Sequence, residues 1–594
     1  MNKNLALWVG LFLSCTLAGC GGGSLGNNTG NNQSSTPTPP NPTYNPQAAK
    51  YGQWNTSTTK MPINPIHAAL LHTGKILVIS GSGNCPPQQA GCPQGPQYTQ
   101  GAALFDLSNS SVHSMPVNWD MFCNGMSIMQ DGRVLIQGGT KGYGALAVVG
   151  QTGDIPFLGL PNASIFDPSS ESFGDISATA HGRWYPTLTE LNDGRVMTTA
   201  GLNDTDGNNN NTSEIWNGEQ WSAEIAGNPN ITDFPGFQFP LYPRMHLLPT
   251  GHIFYSAPSS ATVDFDPSTQ TWKLVAWTIY PGLHDPNGER TYGTSVLLPL
   301  TPQNNYSPKV MIMGGDNPAT NTTELIDLSP AGMNTSASCP NYAPCWVQGP
   351  AMAQARVEME ATILPTGKLL VDGGSAQDED ATTASLKAEI YDPTTNSFSS
   401  AGSNAFPRLY HNTQLLLPDG TVFLAGGNPA QGVFENHIEI YQPSYLFNSD
   451  GSPAKRPQAA SNAPGSVTYG QSFTLSTPDA ATIASIALIK AGSVTHSFDM
   501  DQRFVGLSFT AAQGTLKVTG PPNSNIAPPG YYMLFLVNKS GTPSLASWVQ
   551  ISGAAAPIAK VELHPERVPT PAYVFQRKHV TESPLPLRKE MHIH

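Results

Sequence analysis

Apolar residues in this chain come in short runs broken by glycine or proline turns, and one run–turn–run unit recurs seven times. The copies are HAALLHTGKILVISG, GMSIMQDGRVLIQGG, TLTELNDGRVMTTAG, MHLLPTGHIFYSA, SVLLPLTPQNNYSPKVMIMGG, ATILPTGKLLVDGG and TQLLLPDGTVFLAGG. Each leads into a third strand with a characteristic end, such as SIFDPSSES, VDFDPSTQTW or EIYDPTTNSF. Asp-Gly or Thr-Gly turns between alternating hydrophobics signal hairpins. No long helical period is found. Seven such units predict an all-β chain built on a seven-bladed β-propeller of the kelch kind over residues 49–450. Tyr51-Gly52-Gln53-Trp54 is expected to supply the outer strand that closes the last blade.

After about residue 450 the spacing changes. SVTYGQSFTLST, IASIALIKAG, GTLKVTG, YYMLFLVN and ASWVQI predict a small Ig-like β-sandwich over residues 452–552. The first twenty residues read as a leader: Lys3, an apolar stretch from Leu5 to Leu17, and Leu17-Ala18-Gly19-Cys20. That tetrapeptide is a lipobox pattern, so Cys20 is the expected lipidation site, with plain secretion as the alternative. Gly21 after it, in place of Asp, favours the outer membrane of a two-membrane bacterium. Residues 21–48 are a flexible linker rich in Gly, Asn, Ser and Pro, and residues 553–594 a Pro-rich tail. The chain is charge-poor and carries a net charge of −13, which argues against nucleic acid as a partner. Contact with a membrane is expected only through the lipid, and a monomer is expected.

The repeats share a register, so equivalent positions can be compared. Eight residues before the Asp of each Asp-Gly turn stand Cys123 (from Asp131), Tyr185 (from Asp193) and His411 (from Asp419), with Tyr410 beside it. Tyr242, Tyr292, Glu358 and roughly Pro65 are the equivalents in the other blades. In a propeller this position begins the innermost strand, so these residues form a ring around one mouth of the axis. Convergent polar groups at a concave site are a binding-site hypothesis.

Cys123 is also the odd one of seven cysteines. Cys15 and Cys20 belong to the leader. Cys85 with Cys92, and Cys339 with Cys345, are short-range pairs, most simply disulfides in an exported protein. Cys123 is either inert packing or a thiol modified for chemistry. Phenols and imidazoles together suit Cu(II) or Fe(III) better than Zn, Ca or Mg. His496, on a hairpin of the second domain, is the obvious second imidazole. Against this stands the bland reading, that lone tyrosines and histidines are more often structural.

Several motifs occur in order and in the appropriate blades: Asp120-Met121-Phe122-Cys123-x-Gly125, Arg183-Trp184-Tyr185, Arg408-Leu409-Tyr410-His411, and Thr495-His496 with Asp501-Gln502-Arg503. In these the chain resembles the copper radical oxidases, the galactose oxidase and glyoxal oxidase group, over residues 50–552. The resemblance implies one copper ion held by Tyr185, Tyr410, His411 and His496. It implies a thioether joining Cys123 to the Tyr185 ring, which carries the radical, and Tyr410 as general base. Small aldehydes or primary alcohols, glycan termini among them, would be oxidised by O2 with release of hydrogen peroxide. The residue that covers the thioether in that family falls, by register, on Asn203. Tyr242, Arg290, Tyr292 and Glu358 are candidate substrate contacts or, alternatively, packing residues. Arg-Trp-Tyr places the chain nearer the glyoxal oxidases, leaving a galactose-type sugar oxidase and a non-catalytic, polysaccharide-binding propeller as rival readings.

Overall fold

A computed structural model describes residues 44–83, 98–143, 156–227, 236–280, 282, 288–334, 339, 343–430 and 433–552. The leader, most of the linker and the 553–594 tail lie outside the described residues. So do Cys85 and Cys92, and the disulfide expected between Cys85 and Cys92 is therefore not part of the structure described below. Nearly all the regular structure among these residues is antiparallel sheet. Among these residues seven sheets each carry four strands running outward from a central strand, and the first of them is extended to six. The central strands are His67–Leu70, Gly125–Ile128, Thr187–Glu190, Arg244–Leu247, Thr294–Leu297, Val357–Ile363 and Asn412–Leu416. Each touches the next, and the last touches the first, so they close a ring. Gln53–Lys60 pairs with His437–Gln442 as the outer strand of the seventh sheet, which ties the start of the folded chain to its last repeat.

Burial follows this layering. Central strands such as Gly125–Ile128 and Thr187–Glu190 are buried at every position because neighbouring sheets cover both faces. Outer strands such as Ser111–Val117 alternate as a half-exposed strand should. A buried arginine precedes the central strand in four sheets and pairs with a glutamate on the third strand: Arg183–Glu214, Arg290–Glu324, Arg356–Glu389 and Arg408–Glu439. These pairs bind the loop that starts each blade to the blade itself.

The last hundred residues form a five-stranded sheet facing a three-stranded one. Their shared core includes Leu488, Val505, Leu516, Val518, Leu534, Leu536 and Val549. One hairpin leaves this sandwich altogether. Ser493–Thr495 and Phe498–Asp499 pair with each other, and Ser493–Thr495 adds to His67–Leu70 as an extension of the first sheet. The hairpin thereby enters the axis of the ring.

Candidate metal centre

The ring positions share an unusual backbone. Cys123, Tyr185, Tyr242, Tyr292, Glu358 and His411 have φ of 62°, 68°, 45°, 52°, 64° and 67°. Left-handed conformations cost non-glycine residues about 1–3 kcal/mol each and persist only where surroundings over-determine them. Here main-chain hydrogen bonds pass from blade to blade. Tyr185 N–H donates to Cys123 O at 3.0 Å, Tyr242 N–H to Tyr185 O at 2.9 Å, and Glu358 N–H to Tyr292 O at 3.0 Å. These bonds turn the successive side chains into the mouth.

Four of the expected ligands meet there. The Tyr185 and Tyr410 hydroxyls are in hydrogen-bond contact. The His411 and His496 rings lie 4.7 Å apart between centroids, Tyr185 and His496 also 4.7 Å, and Tyr410 stacks on His411 at 3.8 Å. One ligand atom from each of Cys123, His411 and His496 lies within 4.8 Å of the others. Burial pushes the Tyr410 phenol well above its ordinary pKa, with Cys123 adding to it. It raises the Cys123 thiol likewise, with a contribution from Asp120. Burial holds His496 well below the usual imidazole value, as do His411, His67 and Arg244.

Hydrogen bonds fix the imidazole tautomers. Thr495 Oγ1 donates its proton to Ile66 O at 3.0 Å, so toward His496 Nδ1, 2.6 Å away, it can only accept. His496 therefore carries its proton on Nδ1 and presents a bare Nε2, which is buried and has no hydrogen-bond partner among the described residues. His411 Nδ1 donates to Asn428 Oδ1 at 2.9 Å, and Asn64 Nδ2 donates to the same oxygen at 3.1 Å. Partners of this kind orient metal-binding imidazoles.

His496 is placed by contacts to several blades. Arg244 donates to His496 O at 2.7 Å, and Ser497 N–H donates to Glu360 Oε1 at 3.0 Å. At the hairpin root Lys490 Nζ bridges Glu190 and Asp501, the latter at 2.7 Å. Asp501 Oδ2 accepts from Ile128 N–H at 2.7 Å and from Ser493 Oγ at 2.6 Å.

Two expectations need correction. Asn203 is committed to its own loop: its Oδ1 accepts the N–H groups of Thr205, Asp206 and Gly207, and its amide donates to Asp206. The ring against Tyr185 is Trp184, 3.9 Å away, backed by Phe157 at 4.4 Å and anchored by Trp184 Nε1–H to Thr140 Oγ1. That indole stands in Arg-Trp-Tyr itself, next in sequence to Tyr185, where a position counted by register does not point. Arg290 is not a substrate contact, because its guanidinium is committed to Glu324, Gly314 O and Thr322 O. Tyr242 is a support, donating to Asn124 O and packing on Tyr185 and His496 at 4.5 and 4.6 Å. Tyr292 stays at the mouth, half-buried, 5.2 Å from the Tyr410 ring, with Glu358 beside it. Of the two expected disulfides, Cys339 and Cys345 form one, while Cys85 and Cys92 fall outside the described residues.

Fold and ligand constellation together define a propeller enzyme with a mononuclear centre at one mouth of its axis. Residues 81–445 match the glyoxal oxidase N-terminus family and residues 456–551 the galactose oxidase-like early set domain. The chain belongs to this family, the copper radical oxidases. It is 28% identical over 529 residues to a galactose oxidase of Gibberella zeae, covering 84% of this chain and 71% of that one. It is also 28% identical over 543 residues to an aldehyde oxidase, GLOX, of Vitis pseudoreticulata, covering 84% and 97%. A fungal alcohol oxidase solved in complex with copper superposes with a TM-score of 0.67 at 22% identity, over 85% of this chain and all of that one.

Proposed function

We propose that this chain is an extracytoplasmic copper radical oxidase that converts small primary alcohols or aldehydes, glycan termini among them, using O2 and releasing hydrogen peroxide. The observation that carries this reading is the convergence of two tautomer-set imidazoles, two touching phenols and a buried thiol. The donors fit a copper ion. Two imidazole nitrogens and two phenolic oxygens form a set that suits Cu(II), and the buried bare Nε2 of His496 is the kind of atom a metal satisfies. Tyr185, Tyr410, His411 and His496 would hold the ion, and Cys123 would be joined to the Tyr185 ring. The relatives support the class of reaction through their names, galactose oxidase and aldehyde oxidase.

A copper ion held by these residues would supply one-electron redox chemistry, which together with an oxidised Tyr185 makes up the two electrons that O2 finally takes. For an alcohol, the substrate gives up one hydrogen from carbon and one from its hydroxyl, two protons and two electrons in all, and O2 takes them as H2O2. Tyr410 takes the hydroxyl proton at its phenolic oxygen, and Tyr185 the carbon-bound hydrogen at its own. Trp184 and Phe157 keep water off the Tyr185 ring. Arg244, Glu360 and the Lys490 cluster hold His496 in place.

For location, the leader ending at Cys20 supports export with a lipid anchor, and Gly21 after it supports an outer membrane. The Cys339–Cys345 disulfide suits an oxidising compartment. The test is peptide mass on copper-loaded, oxygen-exposed protein, with peroxide release measured on alcohols and aldehydes. Cys123 and Tyr185 peptides joined with loss of two hydrogens, together with peroxide, are expected. A free, alkylatable Cys123 beside bound copper would refute the radical mechanism and leave a binding propeller.

A further inference from the structure

Glu358 is the one carboxylate among the ring positions, and its surroundings are unusual. It is 2% exposed, yet neither carboxyl oxygen has a hydrogen-bond partner of ordinary geometry among the described residues. Its backbone is fully held, with N–H to Tyr292 O at 3.0 Å and Asn412 Nδ2 donating to its carbonyl at 2.8 Å, so the side chain has little freedom to turn away. The Asp378 carboxyl and the Glu379 N–H come close to its carboxyl, and the Glu379 side chain lies nearby. Both residues follow the strand Leu369–Ser375 and are only half-buried, so solvent reaches the edge of the group.

The arginines that begin its own blade and the preceding one do not serve Glu358. Arg290 is committed to Glu324 and two carbonyls. Arg356 is committed to Glu389 and to the carbonyls of Gly373, Ser385 and Lys387. Burial and the neighbouring acids push Glu358 well above the ordinary carboxyl range, and Glu379 up to about 8, by burial and then by Asp378. A buried carboxyl crowded by other acids, with no lysine or arginine paired to it among the described residues, must hold either a proton or a cation from outside. Tyr292, against the Tyr410 ring, sits beside the same group.

We propose that Glu358, with Asp378 and Glu379, forms a subsite for the ammonium group of the substrate, so that the preferred substrates are primary alcohols or aldehydes carrying a protonated amine. The arriving cation replaces the protons shared by the carboxyls and brings its hydroxyl carbon toward Tyr185 and Tyr410. Anionic substrates are disfavoured by the same carboxyls. The assignment rests on the oxidase reading above.

The test has two arms. In the first, peroxide release from copper-loaded protein gives kcat/KM for 3-amino-1-propanol and for 1-butanol, a neutral alcohol of similar length. The ratio of amine to neutral alcohol is expected to exceed ten in the native protein, and to fall at least tenfold in Glu358→Gln. In the second, calorimetry measures n-propylammonium, which has no hydroxyl to oxidise, on copper-free protein. Binding lost in Glu358→Gln supports the subsite even if no alcohol is turned over, which separates it from the oxidase reading. Should Glu358→Gln fail to fold, Asp378→Asn serves in both arms. A native ratio near one, or propylammonium binding that is absent or untouched by either variant, overturns the proposal.

Discussion

Replacing Thr495 by Val tests the tautomer assignment of His496 most directly. Thr495 is 1% exposed, and valine keeps its volume and β-branching while removing one oxygen. That oxygen serves two buried groups, Ile66 O at 3.0 Å and His496 Nδ1 at 2.6 Å. Leaving a buried polar group unpartnered costs about 1–3 kcal/mol, so the pair amounts to roughly 2–6 kcal/mol. Unfolding entropy of about 2.1 cal/mol/K per residue, over roughly 500 folded residues, gives about 1 kcal/mol/K. The copper-free variant should therefore melt about 2–6 °C lower, read by scanning calorimetry. The larger effect is on the metal. Once Nδ1 loses its acceptor, His496 is free to rotate or to change tautomer, and loss of such a partner lowers metal affinity about 10–100-fold. Competition against a Cu(II) chelator measures this, and Thr495→Ser should restore it. Native copper affinity alongside the lowered melting temperature would show that Thr495 does not set the tautomer.

Other residues carry separate predictions. Arg290→Met strands the buried Glu324 carboxylate and should cost about 3–5 kcal/mol in urea unfolding; unchanged stability with a tenfold rise in KM would return Arg290 to the substrate mouth. Burial, with Arg503 and Arg244, holds His246 down at about 3, against 6.5 unfolded. The unfolded chain thus binds the extra proton between those values, and stability present above pH 6.5 declines as pH falls toward 3. His246→Gln should flatten the slope of unfolding free energy between pH 4 and 6 by up to about 1.4 kcal/mol per pH unit, and an unchanged slope would refute the assignment. Trp184→Leu should shorten the lifetime of the Tyr185 radical absorbance in stopped-flow spectra while Asn203→Ala leaves it alone; the reverse pattern would reinstate Asn203 as the cover.

Much of this molecule could be read from local pattern because each repeat is a local object. The hairpin turns put Gly132 and Gly194 at φ of 84° and 82°, so Asp-Gly marked both strand ends and register. That register led to Cys123, Tyr185 and His411 without knowledge of the packing. It failed wherever a side chain's role depends on a partner distant in sequence. Nothing near Arg290 in the chain announces Glu324, and register cannot show that Asn203 folds back onto its own loop. The pairing of Ser493–Thr495 with His67–Leu70 was also invisible, since it joins segments more than 400 residues apart whose apolar patterns resemble any other strand. Arg244 shows the same limit, since it leaves the arginine–glutamate scheme of its neighbours to hold His496 O.

Because His496 arrives on a hairpin encoded after all seven repeats, the centre has a fixed place in time. A nascent chain can lay down every blade, and Tyr185, Tyr410 and His411 with them, yet still lack its fourth donor until residue 496 has emerged and the hairpin has slid into the axis. Completion of the site thus reports completion of the polypeptide. A chain cut short anywhere before the final domain is left with a partial site and an open axis, and redox chemistry is withheld from it by topology alone.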